Sequence, residues 1–262
     1  MSSLRLIPFV SLALILASQS AEPPPAMSAG ELASRLSALR LDGASYVRLR
    51  MEINGAKKET LQLQIKQRRT KGATEIVYQV LWPKERKGES VLLRKVGNRA
   101  ASGSLLVPTG TVSPIDDLKD ALFGSDLSYE DVVEDFFAWD QQAIAGMETV
   151  DGVSCQILES KPGKGERSTY SRVRSWIDTR RLVPLRVEKY SGAGQLLRRI
   201  DTTKVVSDAG HHIPANLTVR GVRGGSSTDL DGSRIKHDVS YSDREFTPDG
   251  LREAITSRGS PE

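Results

Sequence analysis

Apolar and polar residues alternate with a period of two along most of this chain, and this alternation limits the folds open to it. In YVRLRMEI, residues 46–53, one face carries Val47, Leu49, Met51 and Ile53 and the other carries charged side chains. The pattern returns in LQLQIK, TEIVYQVLW, ESVLLRKV and, more weakly, ASGSLLV. Seven further segments between residues 140 and 241 repeat it. Because side chains of a strand point alternately to opposite faces, each segment predicts a strand with one apolar face.

Short turn signals separate these segments, which predicts neighbouring antiparallel strands. They lie at Asn54-Gly55, Asp151-Gly152, Pro162-Gly163, Gly192-Ala193-Gly194 and Gly224-Gly225. We therefore predict an α+β fold in which about eleven or twelve antiparallel strands curl until their apolar face meets itself or is covered by the helices.

Helical periodicity occurs in four places. Residues 28–41 form an amphipathic pattern in which Ser28 and Glu31 make a capping box. Residues 115–122 and 127–137 predict two helices separated by Gly124, and Ser128 with Asp131 makes a second capping box. These caps account for the polar stretch GSDLSYED without catalysis. The segment TPDGLREAI predicts a last short helix.

The predicted barrel is wide for the side chains available to fill it. With strands about 4.8 Å apart, eleven of them give a diameter near 16 Å, and aromatic residues make up only 5% of the chain. Eight-stranded barrels are the size that side chains just fill. The interior must therefore take in the helices at 31–41 and 115–137, a ligand of lipid size, or both.

The inward positions are the candidate lining of such a cavity, and small residues between the middle helices are a candidate hinge. From the first strands the lining comprises Leu49, Met51, Leu63, Ile65, Tyr78, Val80 and Trp82. From the far side it comprises Leu185, Val187, Leu217 and Val219. The candidate hinge is Gly124, Ser125 and Asp126.

The N-terminus has the organisation of a secretory signal peptide. Residues 1–20 combine Arg5, an apolar run and small residues before Ala21. We expect cleavage near Ser20, a proline-rich tether over residues 21–27, a single domain over 28–256 and a disordered tail over 257–262. The formal net charge is +4 with interspersed signs, a distribution that does not favour nucleic-acid binding.

Motifs for catalysis or metal binding are weak. His211 and His212 are adjacent on a predicted strand and point to opposite faces, which disfavours a shared metal. GGSST lacks the spacing of a serine nucleophile elbow, and GKGERS lacks that of a phosphate-binding loop. Cys155 is expected to be a small buried apolar side chain. We predict no enzyme, catalytic residue, metal site or cofactor.

Several segments, in order, resemble the bacterial outer-membrane lipoprotein-sorting protein family, which is LolA/LolB-like. They are FGSDLSYEDV, VDGVSCQILES, YSRVRSWIDTRRLVPLRVEKYSGAGQLLR, HIPANLTVRGV and FTPDGL. The resemblance implies an open barrel with a helical lid around an apolar cavity, in a periplasmic carrier or chaperone of lipid or lipoprotein acyl chains. It also implies an inner-membrane transporter of the resistance-nodulation-division or lipoprotein-releasing type, and an outer-membrane acceptor, as partners. The alternative is a non-enzymatic accessory or scaffold subunit of an envelope transporter with a closed core.

Overall fold

A computed structural model describes residues 27–39, 43–70, 72–97, 99–208, 210–221 and 225–256. The predicted signal peptide, most of the tether and the predicted tail lie outside the described residues. The helices are α1 (Ala29–Leu39), α2 (Tyr129–Val133) and α3 (Pro248–Thr256). The strands are β1 (Gly43–Asn54), β2 (Lys58–Thr70), β3 (Ala73–Trp82), β4 (Ser90–Val96), β5 (Ser102–Leu106), β6 (Val112–Pro114), β7 (Gln141–Val150), β8 (Val153–Lys161), β9 (Arg172–Asp178), β10 (Val183–Tyr190), β11 (Leu196–Asp208), β12 (His211–Gly221) and β13 (Ser227–His237).

All thirteen strands of the described chain form one antiparallel sheet that is not closed. The order is β6-β5-β4-β3-β2-β1-β13-β12-β11-β10-β9-β8-β7. The chain runs from the middle of the sheet to one edge, crosses to the other edge and returns to pair β13 with β1. This confirms the open-barrel prediction, and the strand beyond the predicted eleven or twelve is the three-residue β6.

The segment joining the two edges, residues 115–140, crosses the inner face of the sheet, and we call it the lid segment. It contains α2 and two 3-10 helices, Leu122–Gly124 and Phe136–Ala138. The prediction of a helix over residues 115–122 is wrong. The Asp117 carboxylate accepts a hydrogen bond from the Lys119 backbone N–H at 2.8 Å, a local turn contact that competes with helix formation.

The capping box predicted at Ser128 and Asp131 is present at the start of α2, and half of the one predicted at Ser28 and Glu31 is present at the start of α1. The Asp131 N–H donates to Ser128 Oγ at 3.2 Å, and the Ser128 N–H donates to Asp131 Oδ2 at 2.7 Å. At the start of α1, the Glu31 N–H donates to Ser28 Oγ at 3.3 Å. Local sequence therefore fixes where these helices begin.

The lid segment packs on the first half of the inner face. Side chains from β1 to β4 form one buried cluster with those of the lid. Its lid members are Leu122, Phe123, Leu127, Tyr129 and Val133. The alternation of β1 and β2 thus buries one face beneath the lid, as their sequences require.

Helix α1 covers the other half of the inner face. Leu32, Ala33 and Leu36 are buried against Phe136, Phe137 and the inner side chains of β8 to β10. On the outer face of the sheet, Phe246 and Leu251 pack against Val77 and Leu92. Because α3 and the turn before it cover this outer patch, the middle of β3 is buried on both faces.

Candidate functional site

The sheet separates along part of its length between β12 and β13. These strands pair only from Asn216 opposite Asp231 to Val219 opposite Thr228. The neighbouring pairs are longer: β11 and β12 stay paired to Asp208 opposite His211, and β1 and β13 to Ser45 opposite His237. Two paired units, β11–β12 and β13–β1, therefore diverge beyond Asp231.

An apolar cavity of about 350 Å³ lies between these diverging units. Its apolar lining comprises Val47, Leu49, Val206, Pro214, Ala215, Leu217, Leu230 and Ile235. Its polar lining comprises Lys204, Ser207, Asp208, Ser233 and Arg234. Val47, Leu49 and Leu230 also touch the core beneath the lid, so the cavity continues the apolar inner face.

Bulges surround this cavity. Thr203, Ala215 and Ser233 each lack a partner in the ladders of their strands. An unpaired extra residue bends its strand and increases the local twist. At the far end, His237 Nε2 lies 2.7 Å from Asp208 Oδ2 and bridges the two units. The bulges account for the divergence, and this contact limits it.

The predicted lining residues fall into three environments. Leu49 and Leu217 line the cavity. Val187 packs against α1 and the second 3-10 helix of the lid. A third group is buried beneath the lid and comprises Met51, Leu63, Ile65, Tyr78, Val80 and Val219. The sequence placed these residues on one face, and the structure divides that face between packed core and open space.

Trp82 is not an inward residue. Gln62 is opposite Trp82 while Leu63 is opposite Val80, so Leu81 has no partner and forms a bulge. The bulge interrupts the alternation and puts Trp82 beside the exposed Gln62, where its side chain is 51% exposed. The prediction that Trp82 lines the interior is wrong.

Leu185 is displaced by the same kind of irregularity. Pro184 is opposite Ile177 and Arg186 is opposite Trp176, which leaves Leu185 unpaired in a bulge. Its side chain packs with Val150, Cys155, Trp176 and Val183, a cluster separate from that of Val187. The prediction that it lines the interior beside Val187 is therefore wrong as well. Cys155 in this cluster is buried and free.

The predicted hinge residues form a sharp corner in the lid segment. Phe123 and Gly124 have positive φ angles of 55° and 84°, the left-handed region that glycine adopts without strain. The Asp126 N–H donates to Thr228 Oγ1 at 2.9 Å, and the Asp126 carboxylate accepts from Ser226 at 2.6 Å and from Thr228 at 2.8 Å. The corner is thus tied to the start of β13.

Behind this corner lies a buried polar network centred on Asp131. Its Oδ1 accepts from Lys189 Nζ at 2.8 Å and from the Tyr170 hydroxyl at 2.7 Å. Arg198 Nε lies 2.8 Å from Oδ2, at ion-pair distance but not aligned for a hydrogen bond. Burial alone would raise the pKa of Asp131, but the charges of Lys189 and Arg198 outweigh it and lower this pKa. Asp131 is therefore held as a carboxylate.

Sequence reasoning explained Asp131 by capping and missed its partners. Lys189 is the inward position after Val187 on β10 and is only 1% exposed. A lysine at an inward position requires a buried counter-charge, since an unpaired buried ammonium is costly. The alternation of LVPLRVEKY therefore contained the signal, although the partner lies on a distant segment.

A long open sheet whose inner face is covered by a helix and a lid segment, with an apolar cavity left between them, is the architecture of a LolA-like protein. A family model with the description "-like: Uncharacterized protein" matches residues 72–253. The chain belongs to this family, and its fold is the LolA-like fold that the resemblance predicts. The comparison with curated proteins gives no match.

Solved structures with this fold include a DUF1329 family protein from Desulfovibrio piger. It is 25% identical, with 85% of this chain and 97% of that chain covered and a TM-score of 0.79. A Vibrio parahaemolyticus domain named for outer membrane lipoprotein sorting is 21% identical, with 86% and 98% covered and a TM-score of 0.76. A LolA superfamily protein from Nitrosomonas europaea is 19% identical, with 85% and 98% covered and a TM-score of 0.68. Within the described part of the chain, no helix has the length and apolar character needed to cross a bilayer.

Proposed function

We propose that this protein is a periplasmic carrier that shelters an acyl chain of a lipid or lipoprotein in the cavity between β11–β12 and β13–β1. The observation that supports it best is this apolar space of about 350 Å³, which continues the apolar inner face of the sheet. Pockets that hold small organic ligands span roughly 300–1,000 Å³. The name of the Vibrio protein, which refers to outer membrane lipoprotein sorting, points to the same class of cargo.

Transfer of methylene groups from water provides the binding energy. Each buried methylene contributes about 0.8 kcal/mol, so about six of them would contribute roughly 5 kcal/mol. This is enough for reversible capture and is weak enough for a membrane to take the chain back. A carrier needs both.

A longer chain would require the lid segment to move. The inner residues next to the cavity, such as Met51 and Leu63, are now buried beneath the lid. Rotation about the Gly124–Asp126 corner would expose them and extend the cavity along β1 and β2. We assign Gly124, Ser125 and Asp126 this hinge role, and Met51, Leu63, Ile65, Tyr78, Val80 and Val219 the role of lining in the open state.

The setting we propose is the periplasm, reached after cleavage of the signal peptide near Ser20. Cargo would come from an inner-membrane transporter of the resistance-nodulation-division or lipoprotein-releasing type. It would be delivered to an outer-membrane acceptor. No cofactor or catalytic group is part of this proposal.

A second candidate function is an accessory subunit of an envelope transporter with a closed core. The dense packing of α1 and the lid on both halves of the inner face favours it. In that case the sheet would serve as a rigid scaffold. The cavity would then stay empty.

Lipid extraction separates the two candidates. The mature protein is purified from its native compartment without detergent, extracted with organic solvent and analysed by mass spectrometry for acyl lipids. A carrier yields about one acyl lipid per chain. A protein that carries none, and that also fails to bind a fluorescent fatty acid, is a scaffold.

A further inference from the structure

Two basic residues face each other on the inner wall of the barrel. Lys189 on β10 and Arg198 on β11 are direct cross-strand partners. Lys189 is 1% exposed and the Arg198 side chain 18% exposed. Like charges directly opposite each other destabilise a sheet, and burial makes the repulsion stronger. The sheet therefore needs an anion at this point.

The anion is supplied by the lid segment and not by the sheet. Asp131 lies 2.8 Å from both Lys189 Nζ and Arg198 Nε. Burial lowers the pKa of Arg198, but the charge of Asp131 contributes to a net increase. Lys189 also lies over the rings of Phe136 and Tyr170, at 5.3 and 5.0 Å from their centroids. Its only carboxylate partner in the described structure is Asp131.

The positive and negative groups of this site belong to parts that can move apart. Both cations are on strands, while both acids that face them, Asp126 and Asp131, are on the lid segment. Rotation about the Gly124–Asp126 corner would carry Asp131 away from the two cations on the wall. Asp126 would stay at the corner, where it is hydrogen-bonded to Ser226 and Thr228. An uncompensated pair of buried cations is unfavourable, so the open state requires a replacement anion.

Room for a replacement exists beside the network. A cavity of about 610 Å³ is lined by Ser125, Asp126, Ser128, Tyr170, Arg198 and Gly221, among others. Gly221 is the partner of Arg198 on β12. A Cβ at Gly221 would lie 3.3 Å from Asp126 Oδ1, so the glycine keeps this space clear. The space is large enough for a phosphate or carboxylate group.

We propose that Lys189 and Arg198 form a headgroup site for an anionic amphiphile, and that Asp131 of the lid occupies this site when no ligand is bound. This deepens the proposed function and rests on it, since it specifies the cargo as an acyl chain with a phosphate or carboxylate head. The ligand competes with Asp131, and its binding releases the lid. Neutral acyl lipids lack the group that displaces Asp131.

The test compares three ligands with the same sixteen-carbon chain: palmitate, palmitoyl lysophosphatidic acid and monopalmitoylglycerol. Each is titrated below its critical micelle concentration into the full mature protein, with displacement of a fluorescent fatty acid as the readout. The anionic ligands are expected to bind at least about tenfold more tightly than the neutral one, because one charge-assisted contact is worth that much. A difference between palmitate and the phosphate ligand would identify the preferred anion.

Two variants and one control sharpen the test. Arg198→Gln should reduce the preference for anionic ligands by about tenfold, whereas Arg199→Gln should leave it unchanged. Arg199 is the next residue and pairs with Asp201 instead. Asp131→Asn removes the competitor, so it should increase the affinity for anionic ligands by a larger factor than the affinity for the neutral ligand.

Each contrary outcome has a distinct meaning. Equal binding of all three ligands by the wild type and by Arg198→Gln overturns the headgroup site and leaves the carrier proposal standing. Weaker anionic binding by Asp131→Asn overturns the competition. If Asp131→Asn does not fold, the comparison of Arg198→Gln with Arg199→Gln still tests whether Arg198 binds the anionic head. Failure of all three ligands to bind the wild type refutes the proposed function itself.

Discussion

Asp131 is the residue on which the polar contacts of the lid converge. Its carboxylate accepts from the Ser128 N–H at the start of α2 and also contacts Lys189, Tyr170 and Arg198 from three other parts of the chain. Contacts of this kind are strong only while every member is present, since a remaining buried charge is costly. The stability of the closed lid therefore depends on this carboxylate.

Asp131→Asn should lower the free energy of unfolding by about 3 kcal/mol at pH 7, the cost of breaking a buried ion pair by removing one partner. Urea denaturation with constant m-values measures this. Asp243→Asn is the control, because Asp243 pairs with Arg68 but its side chain is 93% exposed. It should cost less than about 1 kcal/mol.

The stability difference between the wild type and Asp131→Asn should also depend on pH. The folded-state pKa of Asp131 is below its usual value of 3.8, so its contribution to stability is complete above that value and decreases as the pH falls toward the folded-state pKa. The difference between wild type and Asp131→Asn should be constant from pH 7 to pH 5 and decrease below about pH 4. A difference that grows on acidification would contradict a carboxylate role.

Leu217→Trp should fill the cavity. Leu217 lines it and is only partly buried, so the larger ring enters existing space and should cost less than about 1.5 kcal/mol in stability. Binding of a sixteen-carbon fatty acid should fall by at least about tenfold. Met147→Trp, at a position 61% exposed on β7, should leave binding unchanged. Equal binding by both variants would place the ligand elsewhere.

At the scale of elements, the lid segment turns sharply at the corner around Gly124. Gly124 has φ of 84°, and a Cβ there would meet nothing within 4 Å. Any cost of a side chain at this position is thus backbone strain and not a clash.

Gly124→Ala should therefore destabilise the protein by about 1–2 kcal/mol. Gly30→Ala is the matched control, because Gly30 lies in α1 and a Cβ there also meets nothing within 4 Å. It should stabilise the protein by about 0.5–1 kcal/mol, the helix preference for alanine over glycine. Thermal unfolding of both variants measures the opposite signs, and a stabilising Gly124→Ala would refute the strained corner.

At the scale of the whole molecule, the sequence predicted what is local. Alternation identified the strands that build the sheet, and the capping boxes marked the starts of α1 and α2. Alternation did not reveal the bulges at Leu81 and Leu185, because the irregularity of a strand ladder depends on the partner strand as well. Trp82 and Leu185 were misassigned for this reason. The position of the cavity depends on where the β12–β13 ladder ends. The burial of Lys189 depends on an acid 58 residues away. Neither can be read from one segment.

The most direct measurement is methyl NMR of the mature protein during titration with a sixteen-carbon fatty acid. Methyl signals of Leu49, Val206, Leu217 and Leu230 should shift in a saturable manner, because these residues line the cavity. Signals of Val77 and Leu92, beneath α3 on the outer face, should stay in place. Shifts confined to the outer face, or no shifts at all, would contradict the claim that the space between β11–β12 and β13–β1 holds an acyl chain.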